Sequence, residues 1–363
     1  MKILLLGEFS GLHKNLKEGL EEVGHEVDIA SSGDGWKSIV SNIDLGSNYS
    51  NRYINRAHQL LKLLKNINKF RGYDIVQLIA PVVFPQKLGL NKFIIKYILR
   101  NNSKVFLVGA GATDTNSIIA DFLQQEFKYS ELYFKPLGHR RKFWSQTQEG
   151  RKYNSWLLDK IDGYIPIMYE YAQPYRSAGH PKLCSTIPIP MNLKKIIYKE
   201  NVIKDKLVFF HGLNRPEVKG TALIREAFER LERNYPNEVE CVIDGRMPLA
   251  DYLKVLERAN VIVDQVYSVS TGVNGVYGLA LGKVVVGGGE PEFLSEFNLD
   301  TSPLIAIQPN VDSIYEQLEA LVQKRKEISL IGYKSRLLAE NLHDYRKVAE
   351  QYISVWSGSY EER

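Results

Sequence analysis

Cysteines and long apolar runs are scarce in this sequence of 363 residues. Cys184 and Cys241 stand far apart, and no histidine lies near either at metal-ligand spacing, so neither a disulfide framework nor a zinc site is expected. No stretch approaches the roughly 18 consecutive apolar residues that span a bilayer. The opening MKILLLGEF has one lysine and a short apolar segment, which favours a first β-strand over a secretory signal. These features predict a cytoplasmic protein.

Signatures of nucleic-acid and dinucleotide binding are absent as well. Nothing matches a helix-turn-helix, a zinc finger or an RNP motif, so no nucleic-acid partner is expected. The first glycine turn lacks the G-x-G-x-x-G fingerprint of dehydrogenases. The nearest approach, Gly109 to Asp114, has an aspartate where the third glycine should allow close packing of helix and strand.

Acidic residues are almost missing from the segment between Arg52 and Lys104. Asp74 is its one acid, against eleven basic residues: Arg52, Arg56, Lys62, Lys65, Lys69, Arg71, Lys87, Lys92, Lys96, Arg100 and Lys104. Apolar residues between Leu60 and Leu64, and between Phe93 and Leu99, alternate with these charges. The segment is either a solvated basic face or a surface that attracts anionic lipid headgroups at the inner face of a membrane.

Short apolar strands alternate with amphipathic helices in the first half of the chain. A strand at Lys2–Leu6, a helix at 13–23 and a strand at 24–30 form a unit that calls for a parallel sheet. Further strands are predicted at 74–79, 104–108 and 161–166. The segment 127–154 has no clear assignment.

The same alternation restarts after a proline-rich break at 187–192. Strands are predicted at 206–210, 238–243, 261–264 and 283–287, with helices at 221–234 and 249–258. This order predicts an α/β protein with two Rossmann-like, doubly wound domains, residues 1–190 and 191–343. A terminal helix at about 344–363 could pack back on the first domain.

Polar loops that follow the strands of the second domain are the best candidate sites, because ligands of open parallel sheets bind at the carboxyl ends of the strands. The loop after Phe210 contains Gly212, Arg215 and Lys219 and leads into a helix. Two cations beside the free amides of a helix start suit a diphosphate, although two basic loop residues can also simply be solvated.

Two later loops add hydroxyl, amide and carboxylate groups. In the loop after Asp264, Ser270, Thr271 and Asn274 can bind phosphate or sugar oxygens, and Gly272 allows close approach; a plain polar turn is the alternative. In the loop Gly287-Gly-Gly-Glu-Pro-Glu, the two acids Glu290 and Glu292 can accept hydrogen bonds from sugar hydroxyls or cap a helix.

Several short motifs together resemble group 1 glycosyltransferases of the GT-B fold. They are the helix opening Lys219-Gly220, Asp244-Gly245 after a strand, Ala259-Asn260 before a strand, the run Ala280-Leu-Gly-Lys-Val-Val-Val286, the loop Gly289-Glu-Pro-Glu292 and Gly24-His-Glu-Val27 in the first half. Each match is short, but the matches span most of the chain.

The resemblance implies transfer of a sugar from a nucleotide-diphosphate donor to a saccharide or lipid-linked acceptor, in cell-surface polysaccharide or glycolipid assembly. It implies no metal and no further cofactor. It also implies two domains that face each other across a cleft, with the donor on the C-terminal domain and the acceptor mainly on the N-terminal one.

Site residues follow from the resemblance by position. Arg215 and Lys219 would neutralise the donor diphosphate and its departing charge. The expected donor site further comprises Gly212, Asp244, Ser270, Thr271, Gly272, Asn274, Tyr277, Glu290 and Glu292. Gly11, His13 and Asp114 would lie on the acceptor side, with His13 and Asp114 near the reacting centre.

The sequence departs from the family at a pair of glutamates. Val269 and Tyr277 stand where the family has two glutamates eight positions apart, and Val284 replaces its usual proline. Either Asn274 and the acids of the third loop hold the donor instead, or activity has been lost. The rival interpretations are therefore a degenerate nucleotide-sugar-binding protein and a nucleotide-sugar epimerase. A metal-dependent transferase of the other major fold is disfavoured because no D-x-D pair occurs.

Overall fold

The computed structural model describes residues 1–34, 39–111, 113–127, 129–135, 142–213, 216–245 and 249–358. The chain divides into two compact units. Unit 1 comprises Met1–Phe122, Lys142–Pro190 and Tyr345–Arg363, and unit 2 comprises Leu123–Arg141 and Met191–Asp344. The segment Leu123–Arg141, which the sequence analysis placed in the first domain, groups with the second unit.

Ten strands occur in the described part of the chain, in two parallel sheets. Unit 1 contains β1 (Lys2–Leu6), β2 (Glu26–Ser31), β3 (Ile43–Asp44), β4 (Ile75–Leu78), β5 (Lys104–Gly109) and β6 (Gly163–Pro166). Unit 2 contains β7 (Leu207–Gly212), β8 (Val239–Asp244), β9 (Val261–Val263) and β10 (Val284–Val286).

The strand orders explain where each sheet can hold a ligand. The first sheet has the order β3-β2-β1-β4-β5-β6, which is the doubly wound Rossmann order. Successive strands are added first on one side of β1 and then on the other, so the reversal point of this sheet lies between β1 and β4. The second sheet has the order β10-β9-β7-β8, and its reversal point lies between β7 and β9. A bridge from Val286 to Ile305 extends the second sheet beyond β10. The prediction of two Rossmann-like domains is confirmed.

Helices lie between the strands along the described chain. They are α1 (Leu12–Glu22), α2 (Arg52–Asn66), α3 (Leu90–Asn101), α4 (Ser117–Gln125), α5 (Glu131–Phe134), α6 (Gln148–Lys160), α7 (Tyr169–Ser177), α8 (Pro216–Lys219), α9 (Thr221–Asn234), α10 (Leu249–Arg258), α11 (Val273–Ala280), α12 (Pro291–Glu296), α13 (Val311–Gln323), α14 (Ile328–Leu342) and α15 (Tyr345–Ser357). Among the described residues, no helix is both long and apolar enough to cross a bilayer.

The terminal helix α15 packs on the first unit. Val348 and Tyr352 join a buried cluster with Leu16 of α1 and Ile3 of β1. A side chain at Gly19 of α1 would put its Cβ 2.2 Å from the Tyr345 carbonyl oxygen, so the two helices approach closely only because this residue is glycine.

Adjacent side chains of β7 point to opposite faces of the second sheet, because successive residues of a strand alternate in direction. Phe209 packs with Ile224 of α9, whereas Phe210 packs with Leu256 of α10. Both faces are therefore covered by helices, and the polar residues that follow the strands are left at the carboxyl edge.

Candidate functional site

The loops after β7 and β9 meet at the reversal point of the second sheet, and their meeting point is the side chain of Asp264. This carboxylate directly follows β9, and its side chain is fully buried, at 0% exposure. Oδ1 accepts a hydrogen bond from Nζ of Lys219 at 2.8 Å. Oδ2 accepts from the Thr271 hydroxyl at 3.0 Å and from the Gly272 amide at 2.8 Å. Asp264 thus ties together the two loops that the sequence singled out separately.

The charge of Asp264 is stabilised by these partners. Burial by itself would raise the pKa of this carboxyl, but the ammonium of Lys219 and the hydrogen bonds from Gly272 and Thr271 hold the pKa below its usual value. Asp264 is therefore ionised at neutral pH, and together with Lys219 it forms a buried ion pair.

Local backbone geometry places Lys219 against this carboxylate. Gly220, which separates α8 from α9, has a φ of 71°, and a Cβ there would lie 2.8 Å from the side chain of Val266. The Val266 amide donates to the Lys219 carbonyl at 3.1 Å. Glycine thus lets the first loop pass directly over the second, with 12% of the Lys219 side chain exposed.

His211, on β7, is a site residue that the sequence analysis did not single out. Its side chain is fully buried; Nδ1 lies 2.7 Å from the Val263 carbonyl, and Nε2 lies 2.8 Å from the Thr221 hydroxyl. Because a carbonyl can only accept, the proton is on Nδ1, and Nε2 accepts from Thr221. Burial, reinforced by Lys219, lowers the pKa of His211 to about 4. The imidazole is neutral and links β7, β9 and the start of α9.

Asn274 and Tyr252 form the next part of the site. The Tyr252 hydroxyl donates to Asn274 Oδ1, and the Asn274 amide lies 3.4 Å from Asp264 Oδ1. A Cβ at Gly212 would lie 2.6 Å from the Tyr252 hydroxyl, so a side chain at the end of β7 would displace Tyr252. Tyr252, in α10, was also missed, because it lies inside a helix rather than in a loop.

Three consecutive glycines follow β10 and lie against the Asp264 loop. Gly287, Gly288 and Gly289 have φ values of 102°, 89° and 87°. A Cβ at Gly288 would lie 2.7 Å from the Thr271 amide nitrogen, which no other residue type could accommodate without displacement. Next to this turn, Glu290 is buried, with 3% exposure, and so is Ser270, with 1%.

Other predicted donor residues lie apart from this network or outside the described chain. Tyr277 is partly buried and packs against the apolar cluster around Phe210. Asp244 is exposed and accepts from the Gly245 amide at 2.7 Å. Glu292 lies half-buried in the first turn of α12. Arg215 lies outside the described residues.

The reversal point of the first sheet holds His13, one of the residues expected on the acceptor side. Its side chain has 0% exposure; Nδ1 lies 2.8 Å from the Gly7 carbonyl, and Nε2 lies 3.2 Å from the Gln77 amide nitrogen. Burial lowers the pKa of His13 to about 4, although the Gly7 carbonyl opposes the shift. The structure thus places His13 in the interior, where it joins β1, α1 and β4.

The carboxylate of Glu8 lies at the start of α1, where Gly11 and His13 were expected to contact the acceptor. Its carboxylate is buried and accepts from the amides of Gly11 and Lys14, each at 2.9 Å. Burial raises its pKa to about 7, the two amides oppose the shift, and the nearby Asp34 adds to it. Asp114 is exposed in the loop after β5. The described residues contain no group of three or more His, Cys, Asp or Glu side chains that could hold a metal ion.

Comparison with solved structures identifies the fold. Sucrose-phosphate synthase from Thermosynechococcus elongatus superposes with a TM-score of 0.64 at 14% identity, covering 99% of both chains. HepE from Anabaena, solved in complex with UDP-glucose, gives 0.62 at 13% identity, covering 99% of this chain and 100% of that one. The chain has the GT-B fold.

A third solved structure with a similar fold is that of an epimerase, not of a transferase. The UDP-GlcNAc 2-epimerase from Neisseria meningitidis, solved with UDP-GlcNAc, gives a TM-score of 0.52 at 11% identity, covering 99% of this chain and 100% of that one. No protein-family model matches the sequence, and no curated protein matches it. At 11–14% identity these similarities show the fold alone.

Proposed function

We propose that this protein is a glycosyltransferase that moves a sugar from a nucleotide-diphosphate donor to a saccharide or lipid-linked acceptor. The observation that carries the proposal is the convergence of Lys219, the start of α11 and the glycine turn Gly287–Gly289 at the reversal point of the second sheet. Hydroxyls and helix amides at this point suit phosphate oxygens. HepE and the epimerase were solved with uridine nucleotides, so these are the first donors to test.

In this reaction the site would stabilise the leaving group, the nucleoside diphosphate. The bond from the anomeric carbon to the β-phosphate oxygen breaks, and its electron pair stays on that oxygen. The acceptor hydroxyl oxygen forms the new bond to the anomeric carbon, and its proton is released to solvent, so the products are the glycoside and the nucleoside diphosphate. Cations and amide dipoles that already surround the departing phosphate lower the barrier because they need no reorganisation as charge develops. Lys219 and the first turn of α11 would supply this, joined by Arg215.

Thermal unfolding in the presence of a panel of nucleotide-sugars tests donor binding. A ligand that binds only the folded state raises the apparent melting temperature as its concentration exceeds its Kd. We expect a nucleoside diphosphate and its sugar conjugate to raise it and the free nucleoside to raise it much less. If no nucleotide in the panel shifted the transition, the proposal would be wrong.

Product analysis separates transfer from the two rival functions. A glycosyltransferase consumes the bound nucleotide-sugar faster when a hydroxylated acceptor is added and releases the nucleoside diphosphate. An epimerase, which the structural relative from Neisseria makes a specific alternative, converts the nucleotide-sugar alone and leaves the diphosphate linkage intact. A degenerate binding protein shows the thermal shift without turnover of any acceptor.

We further propose that α2 binds anionic lipid headgroups at the inner face of a membrane. Only Leu63 of this helix is buried, whereas Tyr53 and Leu61 are 80% and 65% exposed, among the exposed cations Arg56 and Lys65. Apolar side chains interleaved with cations are the features of an interfacial helix. Not every cation of the basic segment contributes, since Lys104 donates to the Trp356 carbonyl at 2.7 Å.

Flotation with lipid vesicles tests this surface. At low salt we expect binding to vesicles of phosphatidylglycerol and phosphatidylcholine but not to phosphatidylcholine alone, because salt and neutral lipid both remove the attraction. Replacing Leu61 and Leu64 by Ser should weaken binding about tenfold, given the apolar area lost from the membrane contact. Leu330→Ser, at a residue with 54% exposure in the second unit, is the matched control. Equal flotation with both lipids would refute the proposal.

A further inference from the structure

The cation that the proposed function assigns to the donor diphosphate already has a partner within the protein. Lys219 Nζ lies 2.8 Å from Asp264 Oδ1, and 12% of the lysine side chain and 0% of the aspartate side chain are exposed. Asp264 also accepts hydrogen bonds from Thr271 and Gly272. The carboxylate is thus held in place by groups of its own chain, at the loops where the diphosphate is proposed to bind.

The ion pair changes what an incoming diphosphate encounters. A lysine with a buried carboxylate at hydrogen-bond distance has a local net charge near zero, so it attracts an anion less than an unpaired lysine does. His211, packed between the same elements, is neutral and adds no positive charge to the described site. A diphosphate that reaches Lys219 must therefore share the ammonium with Asp264.

We propose that Asp264 is an internal counter-ion that competes with the diphosphate for Lys219 and so weakens binding of the nucleoside diphosphate product. The inference rests on the proposed function. The product carries one more negative charge than the nucleotide-sugar, because the bond to the sugar has been replaced by a free terminal phosphate oxygen. A nearby fixed carboxylate repels the product more than the donor and thereby favours release after transfer.

Asp264→Asn removes the charge with little change of shape. The amide oxygen can still accept from the Gly272 amide, which keeps the start of α11 attached. The amide nitrogen then faces Lys219 as a second donor and leaves the ammonium available to a ligand. We expect the nucleoside diphosphate to bind about tenfold more tightly than to wild type, because an opposing charge a few ångströms away has gone.

Calorimetric titration with a nucleoside diphosphate and with its parent nucleoside measures the effect. Affinity for the nucleoside should stay unchanged, because it carries no phosphate. Asp312→Asn is the matched control, because Asp312 lies 2.7 Å from Arg230 in an exposed ion pair of the same unit. It removes the same charge and should leave both affinities unchanged. If Asp264→Asn, folded as judged by circular dichroism, bound the diphosphate no more tightly than wild type, the inference would be wrong.

A second comparison covers the case in which Asp264→Asn does not fold because Lys219 is left unpaired. Lys219→Met together with Asp264→Asn removes both charges and leaves no buried charge unpaired. If Asp264 already offsets Lys219, this double variant should bind the diphosphate within about threefold of wild type, whereas a loss of about tenfold or more would overturn the inference. A wild-type protein that binds no nucleotide contradicts the proposed function itself. A wild-type protein that binds, with the contrary result in the variant that folds, contradicts only the role of Asp264.

Discussion

Two buried histidines lie at the reversal points of the two sheets, His13 in α1 and His211 in β7. Each has a ring nitrogen within hydrogen-bond distance of a backbone carbonyl, of Gly7 and Val263 respectively, and each has a pKa lowered to about 4, chiefly by burial. In both units a neutral imidazole therefore connects two adjacent strands to the helix that follows. These hydrogen bonds give each imidazole a structural role.

The low pKa of His211 has a consequence for stability. Between about pH 4 and 6.5 the unfolded chain binds a proton at this residue and the folded chain does not, so the free energy of unfolding rises with pH across that window. From pH 6.5 down to 4.5 this residue should account for a loss of about 2 kcal/mol. His211→Gln should lose less stability than wild type over the same interval, as measured by urea unfolding at both pH values.

The difference in stability between His211→Gln and wild type reports on His211 alone, although other groups titrate in the same pH range. The pKa of Glu8 is raised to about 7, so Glu8 favours the folded state at low pH and opposes the histidines. That contribution is the same in both proteins and cancels. Parallel stability curves for His211→Gln and wild type would contradict the assignment of a neutral buried imidazole.

Individual side chains were the least predictable part of the site. The sequence placed Lys219 in the expected phosphate loop, and it placed Thr271 and Gly272 in a second loop. Nothing in a spacing of 45 residues shows that Lys219 pairs with Asp264. His13 lies next to a glycine turn, which suggested a ligand, and the sequence did not show that its side chain is buried. Sequence pattern locates loops, but pairing depends on how closely those loops approach.

At the scale of elements, the glycine turn after β10 fixes the position of the Asp264 loop. Gly288 combines a φ of 89° with a hypothetical Cβ 2.7 Å from the Thr271 amide nitrogen. Two independent constraints, backbone conformation and space, therefore both require glycine. Movement of the turn would displace Thr271, which donates to Asp264.

A pair of substitutions separates these two constraints. Gly24 has a φ of 91°, with nothing within 4 Å of a hypothetical Cβ. Gly24→Ala should therefore cost only the backbone term of about 1–2 kcal/mol. Gly288→Ala should cost more by about 1–3 kcal/mol, as a packed contact is forced apart, and it should weaken diphosphate binding. Chemical denaturation and calorimetry measure both effects, and equal costs at the two sites would show that the contact is not tight.

Secondary structure was predicted correctly where the apolar periodicity of the sequence was strong. The helices Thr221–Asn234 and Leu249–Arg258 have the predicted bounds, because their apolar faces and ends are both clear. The segment 127–154 resisted assignment because it contains the four-residue helix α5 and the start of α6. The first turn of α6 is capped by Thr147, whose side chain accepts from the Gly150 amide.

At the scale of the molecule, the two units repeat one plan. Each has a parallel sheet with a reversal point, and each has a buried histidine at that point. They differ in what accompanies the carboxylate at the helix start: Glu8 accepts from the amides there in unit 1, whereas in unit 2 Asp264 accepts from the Gly272 amide and is paired with Lys219. Because the ammonium of Lys219 offsets the charge of Asp264, this site repels an anionic donor less than an unpaired carboxylate would, and we expect the donor in the second unit.

The most direct test of this account compares nucleoside diphosphate and nucleoside binding in wild type, Lys219→Met and Lys324→Met. Lys324 is exposed, beyond the end of α13, and its replacement removes the same charge from the same unit. Calorimetric titration should show diphosphate affinity reduced at least about tenfold by Lys219→Met, nucleoside affinity nearly unchanged, and no effect of the control. Equal losses for both ligands in Lys219→Met, or no binding to wild type, would contradict a diphosphate site at the carboxyl edge of the second sheet.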